Sequence, residues 1–234
     1  METYLIESAK ALNIEVNDKK IEKFMIYKKL LKEWNEKINL TAIVEDKEII
    51  IKHFIDSLTI EKYIPRGAKV IDVGTGAGFP GIPLKIVRDD IEVVLIDSLN
   101  KRINFLNEII EKCELKDIKT VHGRAEDLAH NIEYREKFDI STARAVANIS
   151  TLSEFCTPFL KVGGVFICMK ADAEKEMQEA KRAIEILGMK QVDIEHIKLP
   201  EIDADRTIIL YKKEKNTPNK YPRKAGTPAK EPLK

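Results

Sequence analysis

Residues 70–83 read Val70-Ile-Asp-Val-Gly74-Thr-Gly76-Ala-Gly78-Phe-Pro-Gly81-Ile-Pro83. β-Formers carrying one acid run into a glycine cluster, and an amphipathic segment follows. This predicts a strand, a tight turn and a helix. Glycine lets the turn take positive φ and lets a ligand approach the main chain with no Cβ in the way. Pro80 and Pro83 suit a helix opening, where a missing N–H costs little. Such a turn belongs to an α/β fold with a parallel sheet, and it lies at the carboxyl end of a strand, where these sheets bind ligands.

From Lys69 onward the hydrophobic pattern alternates. It predicts strands over 69–73, 92–97, 118–122, 138–142, 164–170, 190–198 and 206–212, and helices over 81–88, 100–114, 149–160 and 173–187. Strands alternating with helices imply βαβ units with right-handed crossovers. Only Leu199-Pro-Glu-Ile-Asp-Ala-Asp205 separates the last two strands, so they should pair as a hairpin and set one antiparallel strand in the sheet. Residues 1–64 predict a helical cap ahead of a sheet domain over 65–212. In the cap, Asp18 is expected to cap a helix whose apolar face is Ile21, Phe24, Met25, Leu31 and Trp34. Asn39-Leu-Thr-Ala is irregular, and a second helix is expected from Lys47 to Tyr63, ending before Pro65-Arg-Gly67.

The formal net charge of +1 hides an asymmetry. Lys212–Lys234 holds eight Lys or Arg against two Glu, net +6, which leaves the rest of the chain at −5. Residues 213–234 also hold Pro218, Pro222, Pro228 and Pro232 and show no hydrophobic period, so a flexible tail is expected. Basic and carrying Tyr221, this tail suits a polyanion such as RNA; a purely solubilising role fits its composition equally well. The composition of the whole chain, 34% charged and 44% hydrophobic, is that of a soluble globular protein. No run is long enough to span a bilayer, and the N-terminus lacks a signal-peptide pattern. Cys113, Cys156 and Cys168 form no metal-spaced pair. A cytoplasmic protein with reduced cysteines, no metal and no membrane partner is therefore expected.

The glycine turn admits two ligand readings. Gly76-x-Gly78-x-x-Gly81, with Asp97 on the next strand, matches the dinucleotide fingerprint. Asp72-x-Gly74-x-Gly76-x-Gly78 instead resembles class I S-adenosylmethionine-dependent methyltransferases. The second frame keeps Gly74 out of a strand interior. It also sets a carboxylate where it would repel a pyrophosphate but could hold the cationic amino group of a methionine moiety. Asp97 can accept from vicinal ribose hydroxyls, or alternatively cap a helix, a role that Ser98 or Asn100 could take instead; Ser98 is kept beside Asp97 as a cofactor candidate. Ala125 and Glu126 follow the third strand, where they can meet an adenine edge. Arg144, among small residues past the fourth strand, suits a carboxylate or phosphate clamp, and Lys170 is a weaker candidate of that kind. His53 and Asp56 share a helix face at i, i+3. A general-base pair is conceivable there, but a structural histidine is the simpler reading, and no residue is assigned as catalytic.

Together these pieces resemble a named family, the ribosomal small-subunit methyltransferase G or glucose-inhibited division protein B family. The resemblance is carried by Trp34-Asn-Glu-Lys-Ile-Asn-Leu-Thr41, His53-Phe-Ile-Asp-Ser57, the stretch from Asp72 to Pro83, Asp97-Ser-Leu-Asn-Lys-Arg102 with Phe105-Leu106, Arg124-Ala-Glu126, Ala143-Arg-Ala145 and the basic ending. It implies a seven-stranded, mostly parallel Rossmann-like sheet and methylation of guanine N7 in the decoding-region loop of 16S rRNA, with S-adenosylmethionine as methyl donor. Gly74, Phe79, Asp97, Ala125, Glu126 and Arg144 would then be cofactor residues. Lys101, Arg102, Arg124, Arg206, Arg223 and Lys224 are candidates for RNA phosphates. The implied partner is 16S rRNA or the 30S subunit, met by a monomer. A methyltransferase for another RNA or a small molecule, a dinucleotide oxidoreductase and a non-catalytic RNA-binding protein remain as alternatives.

Overall fold

The computed structural model describes residues 1–144, 147–200, 202 and 204–234. Among them run seven strands: β1 (Lys69–Val73), β2 (Glu92–Asp97), β3 (Ile118–His122), β4 (Phe138–Arg144), β5 (Leu160–Lys170), β6 (Met189–Lys198) and β7 (Asp205–Lys213). They form one sheet in the order β3-β2-β1-β4-β5-β7-β6. β1 to β5 pair in parallel, and β7 lies antiparallel between β5 and β6. The expected reversed strand is thus β7; residues 201 and 203 of its connecting loop lie outside the described residues, as does Ala145.

Period-two alternation divides the core into two layers. Val70, Val93, Leu95 and Ile208 face one layer, and Ile71, Val94, Ile96 and Ile209 face the other. Both faces are covered, so the central strands are apolar throughout, as in other parallel sheets.

The first layer is completed by the N-terminal helices α1 (Glu2–Ala11), α2 (Asp18–Ile38), α3 (Asp46–Ile49) and α4 (Asp56–Leu58). Asn17, not the expected Asp18, caps α2: its side chain accepts from Lys20 N at 3.1 Å, and Asp18 is the first helical residue. Leu5, Phe24, Tyr27 and Leu31 are fully buried against the same layer as Leu95 and Phe105. The helix expected over 47–63 is broken: a π-helical stretch, Ile50–Ile55, separates α3 from α4, and a 3₁₀ turn covers Glu61–Tyr63. The break coincides with side chains that bond this backbone. Arg144 Nη1 donates to the carbonyl of Lys52 at 3.1 Å, and Ser57 Oγ donates to that of His53 at 2.6 Å. Such wide turns are short and concentrate at functional sites.

After β1, the chain winds through α5 (Gly81–Val87) and α6 (Asn100–Lys112) on the cap side. It then crosses by α7 (Ala125–Leu128) to the opposite face, where α8 (Ile149–Cys156) and α9 (Glu174–Ile186) pack. The order reverses at β1/β4, which opens a crevice beyond the carboxyl ends of these strands.

The segment after β7, expected to be flexible, is folded back in this structure. Tyr221 is buried, and Thr217 Oγ1 donates to the Leu187 carbonyl at 3.1 Å. Arg135 donates to the carbonyls of Thr217 and Tyr221, each at 2.9 Å. A short helix, α10 (Thr227–Lys230), packs on α8. The prolines preclude regular pairing, and side chains of the body satisfy their carbonyls instead.

Candidate functional site

The glycine turn is braced from beneath. Asp72 is fully buried; its Oδ2 accepts from Thr75 Oγ1 at 2.6 Å and Gly81 N at 2.9 Å. A Cβ on Gly81 would lie 2.9 Å from that same oxygen and 2.3 Å from Leu95 Cδ2, so only glycine lets α5 approach the sheet this closely. Burial pushes the Asp72 carboxyl up to about 6, against the pull of its two donors. Its other oxygen, Oδ1, is buried with no hydrogen-bond partner among the described residues. The Asp72 carboxylate organises the turn from within, through Thr75 and Gly81.

Above the turn, a cleft is lined by Gly74, Asp97, Ser98, Ala125, Glu126 and Arg144, together with Leu152 and Phe155 of α8. Gly74 has φ +68°, and a Cβ there would meet nothing within 4 Å, so the backbone borders open space. Asp97 Oδ1 accepts from Leu99 N at 2.9 Å, and Oδ2 accepts from Gly76 N at 2.9 Å and Arg102 Nη1 at 3.2 Å. The carboxylate therefore ties the turn after β1 to that after β2. Neither Asp97, Ser98 nor Asn100 caps α6 through its side chain; Leu99 occupies that position. Glu126 Oε1 accepts from Gly226 N at 2.9 Å. Gly76, Gly78 and Phe79 are not part of the lining, and Gly78 is packed so that a Cβ would stand 2.7 Å from Ile82 Cδ1.

Arg144 is the hub. Its guanidinium lies 4.7 Å from the Phe79 ring centroid, and His53 stacks on that ring at 4.5 Å. Arg144 Nη1 donates to Asp56 Oδ2 at 3.1 Å and Nη2 donates to His53 Nδ1 at 2.9 Å. Arginine can only donate, so His53 Nδ1 is the bare nitrogen and Nε2 carries the proton. That proton points to Thr41 Oγ1, 2.8 Å away, while Thr41 N donates to Asn35 Oδ1 at 2.8 Å. Burial, reinforced by the Arg144 charge, drives the His53 pKa down to about 3, so the ring is neutral. Burial also lowers the Arg144 pKa, opposed by Asp56. The Asn-Leu-Thr and His-x-x-Asp-Ser motifs thus converge on one arginine. The structural reading of His53 fits this geometry. Its convergence with Arg144 was missed from sequence, although the i, i+3 pairing of His53 and Asp56 was a visible signal.

Arg144 also borders a second cavity, lined by Lys52, Asp56, Lys170 and Arg206. Arg206 Nε donates to Asp56 Oδ1 at 2.7 Å, and Lys170 Nζ donates to the Ala147 carbonyl at 2.6 Å and pairs with Glu176 at 2.8 Å. Of the expected phosphate-binding residues, Lys101, Arg124 and Lys224 are exposed, and Arg102 is paired to Asp97. Arg223 is committed elsewhere: its guanidinium and backbone N–H all bond Glu154, a fully buried carboxylate. Leu152 and Phe155 carried no functional signal, since both read as ordinary helix core. No group of three or more metal-ligating side chains occurs among the described residues.

A family model for rRNA small subunit methyltransferase G matches residues 20–209. The chain is 55% identical to the ribosomal RNA small subunit methyltransferase G of Acetivibrio thermocellus, over 98% of this chain and 95% of the relative. It is 52% identical to that of Clostridium novyi, over 97% and 94%. Among solved structures, TYW2 of M. jannaschii in complex with AdoMet aligns with a TM-score of 0.54 at 19% identity, covering 68% of this chain and 76% of that one. A SAM-dependent O-methyltransferase from Thermotoga maritima aligns at 0.51 and 17% identity, over 80% and 72%. At these identities the structural likeness is one of fold.

Proposed function

The chain belongs to the rRNA small subunit methyltransferase G family, and on that premise we propose that the cleft above Gly74 is its S-adenosylmethionine site and the adjoining basic cavity its acceptor entrance. The protein is an S-adenosylmethionine-dependent methyltransferase of 16S rRNA. The observation that carries the site reading is Arg144, one side chain that borders both cavities.

The residues present fit the cofactor. Gly74 leaves its backbone bare toward the cleft, and Asp97 and Glu126 offer carboxylate oxygens suited to hydroxyl and amine donors. Gly74, Asp97, Ser98, Ala125 and Glu126 would hold it, and Phe79 and Arg144 would support the wall between cofactor and acceptor. When bound, the cofactor supplies an electrophilic methyl group on a sulfonium.

The proposed acceptor atom is guanine N7, which carries an in-plane lone pair and no proton. No general base is needed, in keeping with a neutral His53 committed to Arg144 and Thr41. What the protein contributes is placement, which in favourable cases supplies about 7–11 kcal/mol. The network from Asn35 through Thr41, His53 and Asp56 fixes Arg144 for that purpose. Lys101, Arg124 and Lys52 would meet RNA phosphates around the opening, and the guanine must be splayed from its stack to enter. Action as a monomer belongs to the same proposal. A ribosomal substrate supports a cytoplasmic location, and no helix among the described residues is long and apolar enough to cross a membrane.

The test is methyl transfer from labelled S-adenosylmethionine to 30S subunits from a strain lacking this enzyme, with chemical cleavage at N7-methylguanosine. One new cleavage site in the decoding-region loop, lost with Asp97→Ala, is the expected result. Label at another atom or another RNA would refute the guanine N7 assignment.

A further inference from the structure

We infer that residues 223–231 form a strap that positions the cleft walls α7 and α8 for S-adenosylmethionine, an inference resting on the cofactor reading above. Two independent attachments carry it. The first is at α7, where the Gly226 amide donates to Glu126 Oε1 at 2.9 Å. Glu126 is 8% exposed and lines the cleft, so one of its two oxygens is held by the strap. The second is at α8, which presents Leu152 and Phe155 to the same cleft. Between these two residues on that helix lies Glu154, fully buried, whose carboxylate receives Arg223 Nε at 3.0 Å, Nη2 at 2.7 Å and the Arg223 amide at 2.7 Å. One turn earlier, Thr151 Oγ1 donates to the Pro228 carbonyl at 2.9 Å. Arg223 Nη2 also donates to the Glu231 carbonyl at 2.7 Å, closing the strap on itself.

These contacts have the character of a fixed brace. Multiply bonded arginine–carboxylate pairs are geometrically specific, and breaking a buried one strands a charge. α7 has four residues and no side-chain cap, so little within it fixes Glu126. The strap supplies that constraint from outside, and Arg223 acts here as a positioning residue. It touches α8 on the side that does not border ligand, and its work is done through Glu154.

Reciprocity gives the first test: if the strap favours cofactor binding, the cofactor must favour the docked strap. Hydrogen exchange is measured on the full chain with and without S-adenosylhomocysteine. Exchange of the amides over 223–231 is expected to slow about tenfold on binding. The second test is a chain ending at Pro222 and carrying Glu154→Gln, which leaves no unpaired charge behind. Its KM for S-adenosylmethionine should rise about tenfold at saturating 30S subunits, where loss of the RNA-phosphate candidate Lys224 does not enter, with kcat there within twofold of the full chain. Should the shortened chain fail to fold, exchange in the full chain decides. Exchange over 223–231 indifferent to S-adenosylhomocysteine, or an unchanged KM in a folded shortened chain, would overturn the strap. Failure of the full chain to bind S-adenosylhomocysteine would instead overturn the cofactor reading and the strap together.

Discussion

Asp72 makes the fold less stable at neutral pH than the same fold with a neutral group there. Its carboxyl is fully buried and titrates at about 6, against an ordinary value of 3.8, with desolvation the largest cause. The native state therefore holds the proton more tightly than the unfolded chain. Below the unfolded value both states are protonated and the native state loses nothing. As pH rises from about 4 to about 6 the unfolded chain ionises first, and stability falls until the native carboxyl ionises too. Each pH unit separating the native and unfolded values is worth about 1.4 kcal/mol, so the full loss is about 3 kcal/mol, and about 2 kcal/mol of it falls between about pH 4.5 and pH 7. In Asp72→Asn this dependence disappears, while the side-chain carbonyl can still accept from Thr75 and Gly81. Urea unfolding of both proteins across that pH range measures the difference. Wild type should lose about 2 kcal/mol relative to Asp72→Asn, whatever the offset between them at one pH. A constant difference, or one of opposite sign, would refute the claim that burial rather than hydrogen bonding governs this carboxylate.

Gly81→Ala should cost about 1–3 kcal/mol in urea unfolding, because its methyl meets Leu95 and Asp72 at overlapping distances. Arg144→Lys should lower methyl transfer more than tenfold, while S-adenosylhomocysteine affinity measured by calorimetry changes less. A lysine lacks the planar fork whose two nitrogens span Asp56, His53 and a helix carbonyl while the group lies over Phe79. Lys101→Ala and Arg124→Ala should each weaken 16S rRNA binding and reduce its salt slope by about 1, read from filter binding against log salt.

Strand positions were legible because the apolar period is strong and Gly, Pro and Asp punctuate it. The reversed β7 was legible because no helix fits between Lys198 and Asp205. Asn17 was passed over for Asp18, since adjacent residues of like capping ability cannot be separated by pattern alone. The break at Ile50–Ile55 has no local signature: it coincides with an arginine 92 positions away bonding the Lys52 carbonyl. The same distance hid the Arg144 cluster, whose members each looked ordinary on their own segments. The end of the chain misled for another reason. Proline-rich basic composition describes chains that cannot bury a core, but this one needs none of its own. It uses buried Glu154, and it uses Arg135 as a donor to its free carbonyls.

The strand order has a consequence for altering this protein. Because the connection after β1 turns toward the cap and that after β4 toward α8, the gap between them belongs to the winding of the chain and not to its side chains. Residues such as Ser98, Ala125 or Leu152 can be exchanged to change what the gap accepts, with little power to close it. Removing the gap would require a different path for the chain.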